Sequence, residues 1–140
     1  MTARVDKLVR PAKNLSEWEK EKYVHDFICE NIRYDKLKKP YSHEIIGPLG
    51  QGVGVCEGIA KAVKVLLDEL GVWCVIAICG NNPDKGIKYR HTWNIVKSAA
   101  YIIIWMRLLT TPLERATRCR ISATITLILT IRVFSGIMSL

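Results

Sequence analysis

The chain has 140 residues, of which 49% are hydrophobic, and it carries a formal net charge of +8. This length and composition predict one globular domain with a core of its own and exclude a disordered chain. The basic residues form no dense stripe interleaved with aromatic side chains, so we expect no nucleic-acid partner.

Cysteine usage and the N-terminus bear on the compartment. The five cysteines have irregular spacings and form no CxxC pair, which predicts neither a disulfide framework nor a zinc site. The N-terminus lacks the apolar segment of a signal peptide. We therefore expect a cytoplasmic protein whose thiols stay reduced, with no metal and no cofactor.

The first half of the chain predicts one helix between two irregular segments. Residues 1–15 are polar and predict a loose lead-in. Ser16 is typical of an N-cap, and apolar residues recur at helical spacing from there to Ile32. Residues 41–55 are rich in glycine and predict a loop next to the following helix, a position where loops often carry function.

A helix and two strands follow. Residues 57–70 carry an apolar stripe at helical spacing, and Gly71 is placed to end that helix. The continuous apolar run over residues 72–80 predicts a strand buried on both faces. Residues 81–86 are typical of a turn and residues 87–96 of a second strand, so the two strands form an antiparallel hairpin. The helical stripe consists of Ile59, Val63, Leu66, Leu67 and Leu70.

Cys56 lies between the glycine-rich loop and the second helix, at or near a helix N-terminus. Unpaired N–H groups and the positive end of the helix dipole favour an anion there, and the thiolate is the nucleophilic form of cysteine. His91 is the candidate base that would activate the thiol for attack on a carbonyl, with a structural strand histidine as the alternative. The backbone N–H of Cys56 and the side chains of Gln51 and Asn94 are candidates to support the oxyanion; a solvated loop glutamine is the alternative for Gln51.

These residues resemble the transglutaminase-like superfamily, and the resemblance covers residues 16–97. It implies an α+β fold with a papain-like core, in which N-terminal helices pack on an antiparallel sheet. The segments that carry it are Gly54 to Ala60 with Leu66, Leu67 and Gly71 behind them, His91 to Val96, and the upstream run from Phe27 to Asp35.

The resemblance also implies a Cys–His–Asp triad, in which Cys56 is the nucleophile and His91 the general base and acid. Such an enzyme acts on amide bonds of a protein or peptide substrate through a thioester acyl-enzyme, as a cysteine peptidase or as a protein-glutamine acyltransferase. Two alternatives stay open. One is a non-catalytic papain-like binding module in which Cys56 only begins a helix, and the other is a membrane-associated protein.

The third member of the triad is missing from the sequence. The superfamily places an aspartate soon after the histidine strand, but no aspartate follows Asp84. Residues 98–140 also contain no Lys, Asn, Gln or His. We therefore divide the chain into a partial core over residues 16–97 and an atypical tail, and expect the sheet to be incomplete after residue 97. The tail's longest uncharged run, residues 121–131, is shorter than the roughly 20 residues of a membrane span.

The genetic code suggests that this tail is out of frame. If each true codon begins at the third base of a codon written here, the junction of Trp105 and Met106 reads GAT, which encodes aspartate. The neighbouring codons permit the segment Tyr-His-His-Leu-Asp-Ala-Thr-Phe-Asp, which resembles the missing part of the superfamily. The chain as written would then hold a nucleophile and a base without the residue that orients them, and removal of such a residue can cost several powers of ten in rate.

The encoding DNA around codons 97–107 tests the frame directly. We expect the shifted frame to encode the whole aspartate-containing segment. The Trp and Met codons force only its aspartate, and the other positions are permitted by the codons but not forced. A nucleotide sequence in which no shifted frame encodes that segment would contradict the hypothesis.

Overall fold

The computed structural model describes the backbone of residues 1–79, Asp84, 91–98 and 101–105, and the side chains of residues 1–78, Asp84 and 92–97. Apart from Asp84, the predicted turn at residues 81–86 lies outside the described residues, and so does most of the tail. Helices and strands mix as predicted for an α+β fold. The helices are α1 (Thr2–Val9), α2 (Glu17–Asn31) and α3 (Cys56–Glu69); the strands are β1 (Arg33–Tyr34), β2 (Val53–Gly54), β3 (Cys74–Cys79), β4 (His91–Ser98) and β5 (Tyr101–Trp105).

Residues 2–12 are helical and contribute three buried side chains to the core, so the prediction of a loose lead-in over residues 1–15 was wrong. Helix α1 continues into a short 3₁₀ helix, Arg10–Ala12. Val5, Val9 and Ala12 are spaced three or four residues apart and therefore lie on one face of the helix. All three are buried in the main apolar cluster. The sequence did not predict this helix because the segment is mostly polar. Only three of its side chains, Val5, Val9 and Ala12, are buried in the core.

Helix α2 begins where the sequence predicts, at Ser16. The Ser16 hydroxyl accepts a hydrogen bond from the Glu19 N–H at 3.3 Å, and the Glu19 carboxylate accepts one from the Ser16 N–H at 3.0 Å. This reciprocal capping box satisfies donors that the helix itself leaves unpaired. Val24 and Ile28 then turn the apolar face of α2 into the core.

Helix α3 is the centre of the core and starts one residue earlier than predicted. Its predicted apolar stripe is buried throughout. Gly71 ends the helix with a φ of +73°, a conformation that favours glycine, and the Val72 N–H donates to the Leu67 carbonyl at 2.9 Å. The early start makes Cys56 the first helical residue.

Strands β3, β4 and β5 form an antiparallel sheet in that order. The register pairs Cys74 with Val96 and Asn94 with Trp105. Strand β5 therefore carries the sheet beyond residue 97, into the tail where we expected the sheet to be incomplete. The prediction that the first strand is buried on both faces was also wrong, because Cys74 is buried but Ile78 is 61% exposed. An apolar run predicts a strand without indicating which of its residues another element covers.

The contribution of α1 can be tested with two substitutions inside the first fifteen residues. Val9→Ala removes two buried methyl groups and should lower the free energy of unfolding by about 2 kcal/mol. Leu15→Ala removes a larger side chain that is 38% exposed, and should change it by less than about 0.5 kcal/mol. Urea unfolding followed by circular dichroism measures both. Equal effects of the two substitutions would contradict the assignment of α1 to the core.

Candidate active site

Two short parallel strands bring the segment after α2 next to the segment before Cys56. The Cα partner of Tyr34 in β1 is Gly54 in β2. The Asp35 N–H extends this pairing by donating to the Gly54 carbonyl at 3.0 Å. Tyr34 and Asp35 therefore lie beside the residues that lead directly into the cysteine.

The Asp35 carboxylate organises the loop that follows β1. It accepts hydrogen bonds from the Ser42 hydroxyl at 2.5 Å, the Lys39 N–H at 2.9 Å and the Leu37 N–H at 3.0 Å. Asp35 is only 8% exposed and Ser42 is completely buried. A buried carboxylate is stable only when its oxygens are paired in this way. These three bonds fix residues 36–42 against β1.

The same hydrogen bonds set the titration of the carboxyl group. The Ser42 hydroxyl, followed by the Lys39 N–H, holds the pKa of Asp35 below its ordinary value because both donate to the charged form. A lowered pKa in the folded state means that the ionised carboxylate stabilises the fold above the ordinary carboxyl pKa. That stabilisation is lost as the pH falls through the lowered pKa.

Ser42 connects this loop to the start of α3. Its carbonyl accepts a hydrogen bond from the Val55 N–H at 3.0 Å. Gly58 in the first turn of α3 lies so close that a Cβ there would come within 2.1 Å of the Ser42 carbonyl oxygen. The hydrogen bonds from Asp35 through Ser42 to Val55, which we call the Asp35–Ser42–Val55 network, therefore fix the residue immediately before Cys56.

Cys56 has the position that the sequence predicts for a nucleophile. It is the first residue of α3, its thiol is free, and its side chain is partly exposed. The N-cap residue Val55 has no side-chain oxygen to accept the N–H groups of the first turn, in contrast to Ser16 in α2. Those N–H groups face the end of the helix and favour an anion there.

The charged residues next to Cys56 form a compensated cluster. Glu57 contacts Lys61 at 3.1 Å and His43 Nδ1 at 3.3 Å, and Lys61 also contacts Glu44 at 2.7 Å. Lys61, followed by His43, lowers the pKa of the Glu57 carboxyl by hydrogen bonding to its charged form. The carboxylate beside the cysteine is thus ion-paired with Lys61 and hydrogen-bonded to His43, and the Lys61 charge reduces its repulsion of a developing thiolate.

Asn94 ties β4 to α3. Its buried side-chain amide donates to the Ala60 carbonyl at 3.0 Å and to the Cys74 sulfur at 3.5 Å. Ala60 is one helical turn beyond Cys56. The amide that the sequence suggested as an oxyanion support is therefore engaged in holding the histidine strand against the cysteine helix.

The remaining cysteines with described side chains differ from Cys56. Burial raises the pKa of the Cys74 thiol to about 11, so that this thiol stays protonated. Cys29 is disulfide-bonded, which the irregular spacing of the cysteines does not predict.

The catalytic roles predicted from the sequence stay predictions, including those of His91 and Gln51. His91 is the first residue of β4 and pairs through its Cα with Cys79 at the end of β3. Its pairing with the Cys56 thiol lies outside the part described at side-chain level. Gln51 is exposed at the end of a π-helical turn, Gly47–Gln51.

Sequence reasoning did not identify Tyr34, Asp35 and Ser42 as neighbours of the cysteine. Tyr34 and Asp35 were available as part of the segment that resembles the superfamily. Their proximity to Cys56 depends on a pairing between two strands of two residues each, which has no periodic signature. No sequence pattern indicates the role of Ser42, because a single hydroxyl donates to Asp35 and a backbone carbonyl, which every residue has, accepts from Val55.

The described residues contain no group of three or more His, Cys, Asp and Glu side chains arranged to hold a metal ion. None of the helices in the described residues is long and apolar enough to cross a membrane.

Comparison with known proteins identifies the superfamily. The family model of the transglutaminase-like superfamily matches residues 2–108, more than half of the chain, and the chain belongs to this superfamily. This confirms the resemblance found in the sequence. The match includes α1 and β5, which lie outside the core limits that we predicted.

A solved structure shares the fold. It is described as a crystal structure of a TGase, and it matches with a TM-score of 0.60 at 15% sequence identity. The match covers 77% of this chain and 32% of the other, so this chain spans about a third of that protein's length. No curated protein matches the sequence.

The close packing of the loop on α3 can be tested at Gly58. Alanine favours a helix over glycine by about 0.5–1 kcal/mol, but here its Cβ would overlap the Ser42 carbonyl. We expect Gly58→Ala to lower the free energy of unfolding by about 1–3 kcal/mol. Gly50→Ala is the control, because its Cβ would meet the flexible Ile46 side chain at 3.2 Å. A Gly58→Ala protein as stable as the Gly50→Ala protein would contradict this packing.

Proposed function

We propose that the protein acts on amide bonds, with Cys56 as the nucleophile that forms a thioester with the acyl group. The observation that carries this proposal is a free, partly exposed thiol at the first residue of α3. The residue before it, Val55, is held by the Asp35–Ser42–Val55 network. Membership of the transglutaminase-like superfamily supports the same chemistry.

The proposed reaction has two steps. The Cys56 sulfur attacks the amide carbonyl carbon, and His91 takes the thiol proton and gives it to the nitrogen of the leaving amine. The carbon–nitrogen bond breaks and a thioester remains on Cys56. Water then releases an acid, or an amine forms a new amide, so the second nucleophile decides between a peptidase and an acyltransferase. A protein or peptide is the proposed substrate.

We further propose that the reaction is impaired in the chain as written. The position of β5 supports this, because Trp105 pairs with Asn94, which is three residues from His91 on β4. The aspartate that a shifted frame encodes at the Trp105–Met106 junction would thus belong to the strand next to the histidine strand. Without that carboxylate, the imidazole lacks the group that orients it in the superfamily's triad.

An activated ester tests the nucleophile without requiring full catalytic power. The chain is incubated with p-nitrophenyl acetate, and the site of acetylation is mapped by peptide mass spectrometry. We expect acetylation of Cys56 with release of p-nitrophenol, and slow loss of the acetyl group because the triad is incomplete. Cys56→Ala should abolish this product.

Cys74→Ala is the matched control and should keep the product, because Cys74 is buried and its thiol stays protonated. No acetylation of Cys56 in the unsubstituted chain would contradict the proposed function and favour a non-catalytic binding module.

A further inference from the structure

Tyr34 has a position that the proposed reaction has not yet used. Its Cα partner Gly54 lies two residues before Cys56, and the neighbouring Asp35 anchors the Asp35–Ser42–Val55 network. The ring is partly buried and packs against the apolar core. The backbone that fixes the cysteine therefore also fixes this tyrosine.

The hydroxyl group of Tyr34 has no hydrogen-bond partner among the described residues. This is unusual, because a tyrosine hydroxyl that is partly withdrawn from water normally finds one. Tyr23 shows the ordinary arrangement, since its hydroxyl donates to the Leu8 carbonyl at 2.8 Å. Tyr23 thus has a structural hydroxyl, whereas the Tyr34 hydroxyl makes no such bond within the described part of the chain.

The surroundings of Tyr34 also favour the protonated form of its hydroxyl. Burial raises the pKa of Tyr34, and the charges that Cys56 and Asp35 can carry raise it further. The hydroxyl therefore keeps its proton at neutral pH and acts as a hydrogen-bond donor.

We infer that the Tyr34 hydroxyl donates a hydrogen bond to the oxyanion that forms when the Cys56 sulfur attacks an acyl carbonyl. This inference rests on the proposed function of Cys56. Tyr34 would be a catalytic residue, acting together with the N–H groups at the start of α3. It supplies a donor at a site where the Asn94 amide is already engaged with Ala60 and Cys74.

The step balances without proton transfer from the tyrosine. The sulfur–carbon bond forms while the carbonyl electron pair moves to oxygen, and the hydroxyl stabilises the negative charge by donating its hydrogen bond. When the electron pair returns, the bond to the leaving group breaks and the thioester remains. A fixed donor of this kind is more effective at a partly buried site than in water.

Two reactions of the same thiol separate this role from a structural one. Acetylation by p-nitrophenyl acetate passes through an oxyanion, whereas alkylation by iodoacetamide displaces iodide and forms none. We expect Tyr34→Phe to slow acetylation of Cys56 by roughly 10- to 100-fold and to change the alkylation rate by less than about twofold. The control Tyr23→Phe removes the structural hydroxyl and should leave both rates within about twofold.

Three results would overturn the inference. Unchanged acetylation in Tyr34→Phe would show that the hydroxyl does not assist the reaction. An equal fall in acetylation and alkylation would show that it acts on the thiol or on the fold. If the unsubstituted chain is not acetylated at Cys56, the proposed function fails together with this inference. The measurement on the unsubstituted chain alone reveals this outcome.

Discussion

The rest of the site depends on the hydrogen bonds that the Asp35 carboxylate accepts. This carboxylate is buried and accepts three hydrogen bonds, one of them from the Ser42 hydroxyl. The backbone carbonyl of the same serine accepts the hydrogen bond from the Val55 N–H. Removal of one partner would leave a buried charge or several donors unpaired, which costs more than the bonds themselves contribute. Ser42 also lies against Gly58, so a movement of the loop would displace the first turn of α3.

Under the proposed function, this arrangement separates the positioning of the Cys56 nucleophile from its activation by a base. The residue before Cys56 is held by Asp35 and Ser42, which both precede the cysteine in the chain. Activation depends on β4 and β5, where His91 lies and where the superfamily's aspartate is missing from the sequence. The chain can therefore present an ordered cysteine and still be a poor catalyst. A prepared thiol without an oriented base reacts with activated acyl groups much more readily than with amides.

Local signals in the sequence predicted most of the helical core, and long-range contacts account for what it missed. The Ser16 cap, the buried stripe of α3 and its end at Gly71 follow from spacing and from residue chemistry over a few neighbours. Helix α1 was missed because its core contacts depend on the helices it packs against. The neighbours of Cys56 were missed because two residues of β1 pair with two of β2, far apart in sequence.

The dependence of the start of α3 on ionised Asp35 is tested most directly by thermal unfolding of Asp35→Asn between pH 7 and pH 2. The substitution should lower the melting temperature at pH 7, and this difference should shrink as the pH falls through the lowered pKa of Asp35. Asp68→Asn, at an exposed ion pair with Lys64, should change little. Equal melting temperatures for Asp35→Asn and the unsubstituted chain at pH 7 would contradict the role of this carboxylate.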